Sequence, residues 1–183
     1  MSNVRAKEFF WCQIGIPALC AGMLFIGGDT AQAKLIQTKE LALRQVFGEV
    51  PYQRKELLLT PLQLVQVEQQ AKAKMDSRLV IYYASAEKVA FIDTHVVRTM
   101  PEAVLVAVIP PGKIESIKIL GFNEPMDYYP PARWLGLFKD QELDERLWMK
   151  QDVDAIAGAT LTSWAILKCA RRSLALYRVV SEE

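Results

Sequence analysis

The sequence predicts an α+β domain, an antiparallel sheet flanked by helices. Three observations carry that prediction. Four runs between residues 79 and 120 are rich in β-branched and aromatic residues. The links between them are short, and short links join neighbouring strands antiparallel, because a parallel crossover needs a dozen or more residues. Helical patterns stand on both sides of this block, before residue 77 and after residue 160.

Residues 38–47 (TKELALRQVF) read as a short helix closed by Gly48. A second helix opens at Thr60-Pro61-Leu62-Gln63, which offers a capping hydroxyl, a proline at the first helical position and a glutamine three residues on. Leu64, Val67, Ala71 and Met75 share one face, and the helix is expected to end near Asp76-Ser77. The strands follow at Leu79–Ala84, Lys88–Val97, Ala103–Ile109 and Glu115–Leu120. Residues 121–151 are loop-rich, with short helical pieces expected at Ala132–Phe138 and Asp144–Met149. A long helix runs from Leu161 or Thr162 to about Val179. Its buried face holds Trp164, Leu167, Cys169, Ala170, Leu174 and Tyr177, and its wet face Lys168, Arg171, Arg172 and Arg178.

The chain has 183 residues, of which 22 are Lys or Arg and 21 Asp or Glu. That balance carries no basic footprint for nucleic acid. One histidine and three cysteines leave little material for a zinc site built from those residues. Residues 1–33 read as an address: Arg5 and Lys7, an apolar run from Phe9 to Gly28, then Ala31-Gln32-Ala33, where a signal peptidase would cut after Ala33. The run is also long enough to be retained as a membrane anchor. Either reading puts the rest of the chain outside the cytoplasm, in the periplasm. Residues 34–77 form an N-terminal helical segment and 78–183 the main domain. Cys169, inside an apolar helical pattern, reads as a buried structural thiol, and His95 as a structural histidine in a strand.

Chemistry concentrates in Asp154-Ala155-Ile156-Ala157-Gly158-Ala159-Thr160-Leu161-Thr162-Ser163. Gly158 lets the backbone bend and another group approach closely. Hydroxyls at Thr160, Thr162 and Ser163 surround the expected helix start, where backbone N–H groups lack intrahelical partners and the helix dipole favours a phosphate. The plainer alternative is that these hydroxyls only cap the helix.

Asp-x-x-x-Gly-Ala-Thr, then x-Thr-Ser and an amphipathic helix, resembles the flavinylation motif of the FMN-binding domain family. That family includes the C subunit of the sodium-translocating NADH:quinone oxidoreductase and the G subunit of the Rnf complex. The resemblance implies that a flavin transferase esterifies FMN to Thr160, with Gly158 and Ala159 giving access and Asp154 as the leading acid. Ala157 stands where the family has Ser or Thr. A second stretch, Gly112 to Leu120 and then Gly121-Phe122-Asn123-Glu124-Pro125, is similar to the family's strand and following loop, which implies that Glu124 lines the flavin pocket. The resemblance spans roughly residues 78–180.

Tyr128, Tyr129 and Trp134 are candidates to stack on the flavin ring, and equally to be packing aromatics. Lys113, Lys118 and Arg133 could offset its charge. The function implied is an exported FMN carrier that passes electrons between a membrane-associated redox complex and another electron-transfer protein. The alternative is a small flavin-dependent reductase acting on a soluble substrate near Glu124 and the Tyr128-Tyr129 loop.

Overall fold

The computed structural model describes residues 35–182, so the signal or anchor segment read at residues 1–33 lies outside the described residues. Five strands form one antiparallel sheet in chain order: β1 (Gln53–Leu58), β2 (Leu79–Ala84), β3 (Val89–Val97), β4 (Met100–Ile109) and β5 (Lys113–Gly121). Around it stand α1 (Lys39–Phe47), α2 (Pro61–Ala71), the short α3 (Ala132–Leu135) and the long α4 (Thr160–Ser181). The expected α+β class is the one observed.

Both faces of the sheet are covered, which explains why β4 reads as a continuous apolar run rather than an alternating one. Val104, Val106 and Val108 point into a large core shared with α2, α4 and the 134–153 loops. Leu105 and Ala107 point the other way, into a smaller core closed by Ala42, Leu43, Val46 and Phe47 of α1. Among the described residues, no helix is long and apolar enough to cross a membrane.

The helix starts follow the local chemistry. Thr38 caps α1, and Thr60 with Gln63 makes a reciprocal capping box on α2, closed by Pro61 at its first turn. Replacing Thr60 with Ala is expected to cost about 1 kcal/mol, read as a lower denaturant midpoint.

Three expectations are corrected. The segment before residue 77 contains a strand as well as two helices, since β1 pairs with β2 over its whole length. Its sequence QRKELL is charged and mostly exposed, as suits a sheet edge, and shows no apolar alternation to detect. The second helix stops at Ala71, not near Asp76-Ser77: Lys72 turns left-handed at φ 52°, and the Glu68 carboxylate accepts from the Met75 N–H in place of a helical carbonyl. Residues 144–149 are not helical. Asp144 Oδ1 accepts from the N–H groups of Arg146 and Leu147, and Met149 bridges to Val153.

Arg171 accounts for the last two. Expected on the wet face of α4, it is 1% exposed. Its guanidinium donates to the carbonyls of Gln70 and Ala71, at the end of α2, and of Asp144 and Leu147 in the loop. Those carbonyls are thereby satisfied without further helix. The same guanidinium lies over the Trp148 ring.

Candidate functional site

Two distant stretches meet at the start of α4. The helix begins at Thr160, with Ala159 as N-cap, and Ala159 has no side-chain acceptor to offer. The N–H groups of the first turn therefore keep no capping partner. Gly158 turns the chain at φ 81°, a conformation that side chains other than glycine's resist, and a Cβ there would stand 3.9 Å from the Tyr128 ring. Trp134, on α3, fixes the approach to the turn by donating its indole N–H to the Asp154 carbonyl at 2.6 Å.

The three hydroxyls have separate tasks. Ser163, fully buried, donates to the Ala159 carbonyl at 2.9 Å and accepts from the Ile156 N–H at 2.9 Å, which ties the turn to the helix. Thr162, 1% exposed, donates to the Glu124 carboxylate in the loop after β5. Thr160 is exposed, and its hydroxyl makes no hydrogen bond among the described residues. Thr160 does not cap the helix, which removes the plain-cap reading for this one residue. Such a group is open to an incoming phosphorus, at a helix start whose N–H donors favour an anion.

Glu124 is 7% exposed, so its partner matters. Replacing Thr162 with Val would leave a buried carboxylate without its hydroxyl, at an expected cost of about 1–3 kcal/mol, visible as a lower Tm. Asp154 is exposed, and Tyr128 is half-buried against the Gly158 turn. The other aromatics offered for ring stacking are engaged in packing. Tyr129 meets Phe122 edge-on at 5.2 Å, and Trp134, 7% exposed, meets Phe138 at 5.2 Å.

A cleft of about 1140 Å³ opens on another side of the same helix start, between α2, β3 and α4. Its lining includes Leu161, Trp164, Lys168 and Arg172 of α4, and His95 and Arg98 of the β3–β4 hairpin. Behind it lies a polar network that the sequence reading missed. His95 pairs across the strands with Glu102, Nε2 to carboxylate at 3.2 Å, and its Nδ1 lies 3.2 Å from the Cys169 sulfur. Arg172 holds both Asp93 oxygens at 2.7 and 2.8 Å. The donor atoms of Asp93, His95 and Cys169 lie within 4.8 Å of one another, and the Arg172 guanidinium donates to Asp93 and to the Cys169 sulfur. The signal was the hairpin register: a two-residue turn at Arg98-Thr99 sets His95 opposite Glu102, a residue first read as part of the connection.

This network sets the pH response. Burial opposes charge on His95, but its bonds to Asp93, Cys169 and Glu102 win and raise its pKa to about 11. The stability it contributes is thus full below its ordinary pKa of 6.5 and lost as pH rises toward about 11. Burial, the largest influence on Cys169, pushes its thiol up, so the unfolded state gains further in alkali. Thermal stability is expected to fall from neutral pH into alkali. His95→Gln should flatten the fall between pH 7 and 9, checked by melting across that range.

These features define an α+β domain whose long C-terminal helix starts at a glycine turn with an uncommitted threonine and unpaired N–H donors. Residues 101–175 match the family model described as FMN-binding domain. The match starts in β4 and ends inside α4, so it takes in the Glu124 loop and the whole turn. The match supports a flavoprotein. Comparison with curated proteins gave no match.

Proposed function

We propose that the protein is an exported flavoprotein carrying FMN esterified to Thr160, and that it passes electrons between a membrane-associated redox complex and a partner protein. The observation that carries this reading is Thr160 itself, an exposed hydroxyl unused by the fold, at a helix N-terminus whose cap supplies no acceptor. The phosphate end of FMN fits there because backbone N–H groups and the helix dipole favour an anion. In the ester, the threonine oxygen bonds to phosphorus, AMP leaves from FAD, and the hydroxyl proton goes to solvent or to a base of the transferase.

Within this reading Gly158 and Ala159 keep the approach to Thr160 clear, and Thr162 and Ser163 hold the turn rigid through Glu124 and the Ala159 carbonyl. Asp154 stands at the mouth as the leading acid, with Tyr128 against the glycine. The bound flavin supplies the electron chemistry, while the protein positions it and sets its surroundings. A covalent tether suits a protein outside the cytoplasm, where a dissociated cofactor would be lost. Residues 1–33 act as the export signal or anchor, and residues 34–77 precede the FMN-binding domain at 78–183.

The cleft beside α4 favours a second reading, a small reductase, because about 1140 Å³ is room enough for a soluble substrate. Turnover of a soluble oxidant by the reduced protein would select it. The primary test is peptide mass spectrometry of the exported chain made with a flavin transferase. One FMN-phosphoryl adduct on the peptide containing Thr160 is the expected result, and its absence rejects the covalent carrier.

A further inference from the structure

β1 is an edge of the sheet, and among the described residues only β2 pairs with it. The Leu59 N–H donates to the Arg78 carbonyl, and the register sets Leu57 on Val80 and Lys55 on Tyr82. Hydrogen-bonded and outward-facing residues alternate in an antiparallel ladder, so Arg54, Glu56 and Leu58 turn their N–H and C=O groups away from β2. Their side chains share one face of the sheet. Arg54 and Glu56 form an ion pair at 2.7 Å there, and Leu58 stands opposite Leu79. Beyond the ion pair that face is apolar at the edge: Leu58 is 64% exposed, and Leu79, Ile81 and Tyr52 are exposed as well.

We propose that the β1 edge docks a second copy of this chain, β1 against β1, antiparallel about a two-fold axis at Lys55. The occupant follows from charge complementarity, because a two-fold contact must complement itself. With Lys55 on the axis, Arg54 lies opposite Glu56 of the second copy, and Glu56 opposite its Arg54. Both residues face outward, so each opposed pair exchanges backbone hydrogen bonds as well as opposite charges. The ends extend the match, since Leu58 then falls opposite Tyr52 of the second copy, apolar against aromatic. Moving the axis to Glu56 would oppose the two carboxylates and set Arg54 against Leu58. The charges therefore select one register.

Charges along an edge ordinarily keep sheets apart. Here the only like charges brought opposite each other are the two Lys55 ammoniums, on the other face of the sheet. Lys55 is exposed, and its long stem carries the charge aside into water. The edge thus rejects other registers and admits its own copy in this one. β1 lies outside residues 101–175, so the surface is separate from the flavin site, and its test does not depend on modification of Thr160.

The test is sedimentation of the full chain over a dilution series. Wild type is expected to form a reversible dimer. Arg54→Glu sets carboxylates opposite one another and should weaken that dimer about tenfold or more, and adding Glu56→Arg should restore it. Arg54 and Glu56 are exposed, so these variants fold, and melting curves check that they do. Register is read separately with cysteines. Lys55→Cys should link two copies through a disulfide, since residues opposed at a non-hydrogen-bonded position have Cα atoms about 4.5 Å apart, whereas Gln53→Cys should not. A monomer at every concentration overturns the proposal. So does a dimer that ignores the charge reversal, or one that Gln53→Cys links as readily as Lys55→Cys.

Discussion

Thr160→Val is expected to give a folded protein with no covalent flavin at all. The threonine is exposed and its hydroxyl bonds to nothing among the described residues, so its removal should change stability by less than about 0.5 kcal/mol. Valine keeps the branched shape and removes only the oxygen that would bond to phosphorus. Neither neighbouring hydroxyl can substitute. Thr162 and Ser163 are buried at 1% and 0% exposure, and both are engaged in hydrogen bonds that hold the turn. Intact mass and a melting curve on the same sample check both halves. A persisting adduct would place the acceptor elsewhere, and a lost adduct with a collapsed Tm would mean the residue is structural. Ala157, exposed in the turn, offers the reverse experiment: Ala157→Ser adds the hydroxyl of the flavinylation motif that the turn resembles, and is expected to raise any modified fraction.

Arg171→Met is expected to destabilise the domain by about 4 kcal/mol. Methionine fills much of the volume but donates no hydrogen bonds. Four carbonyls now held at 2.7 to 3.0 Å would lose their donor: two at the end of α2 and two in the loop over residues 144–147. Leaving buried carbonyls unpaired costs about 1–3 kcal/mol each before relaxation, and the loop can recover part of that by opening to water. For a domain of this size the melting temperature should drop roughly 10 °C. Arg171→Lys should rescue only a fraction, because one ammonium cannot reach carbonyls spread around a planar fork. A change below about 1 kcal/mol would show that the carbonyls find water at no net cost.

The consequences of that clamp reach the site. Arg171 packs on Trp148, Trp148 on Trp164, and Trp164 lines the cleft beside Thr160.

Local chemistry made much of this legible. Thr38 and Thr60-Pro61-Gln63 announced two helix starts, and the β-branched runs at 79–84 and 115–120 landed on strands within two residues. The Gly158 turn and the helix after it were also readable, since glycine's positive φ and helical periodicity are properties of short segments. The meeting of Glu124 with Thr162, and of His95 with Glu102, depends on partners 38 and 7 residues apart. The second of these lay within reach once the hairpin register was drawn; the first did not.

What pattern could not decide was everything set by a distant partner. The strand QRKELL carries no periodic apolar face, and becomes a strand only because β2 offers its unpaired edge. Helix α2 ends without glycine or proline, and residues 144–149 fail to coil, because a guanidinium from α4 takes the carbonyls that further helix would use. Arg171 itself looked solvated by its charge and spacing. Sequence periodicity records how often a residue type faces water, whereas burying a cation requires a specific set of acceptors that only the assembled fold brings together.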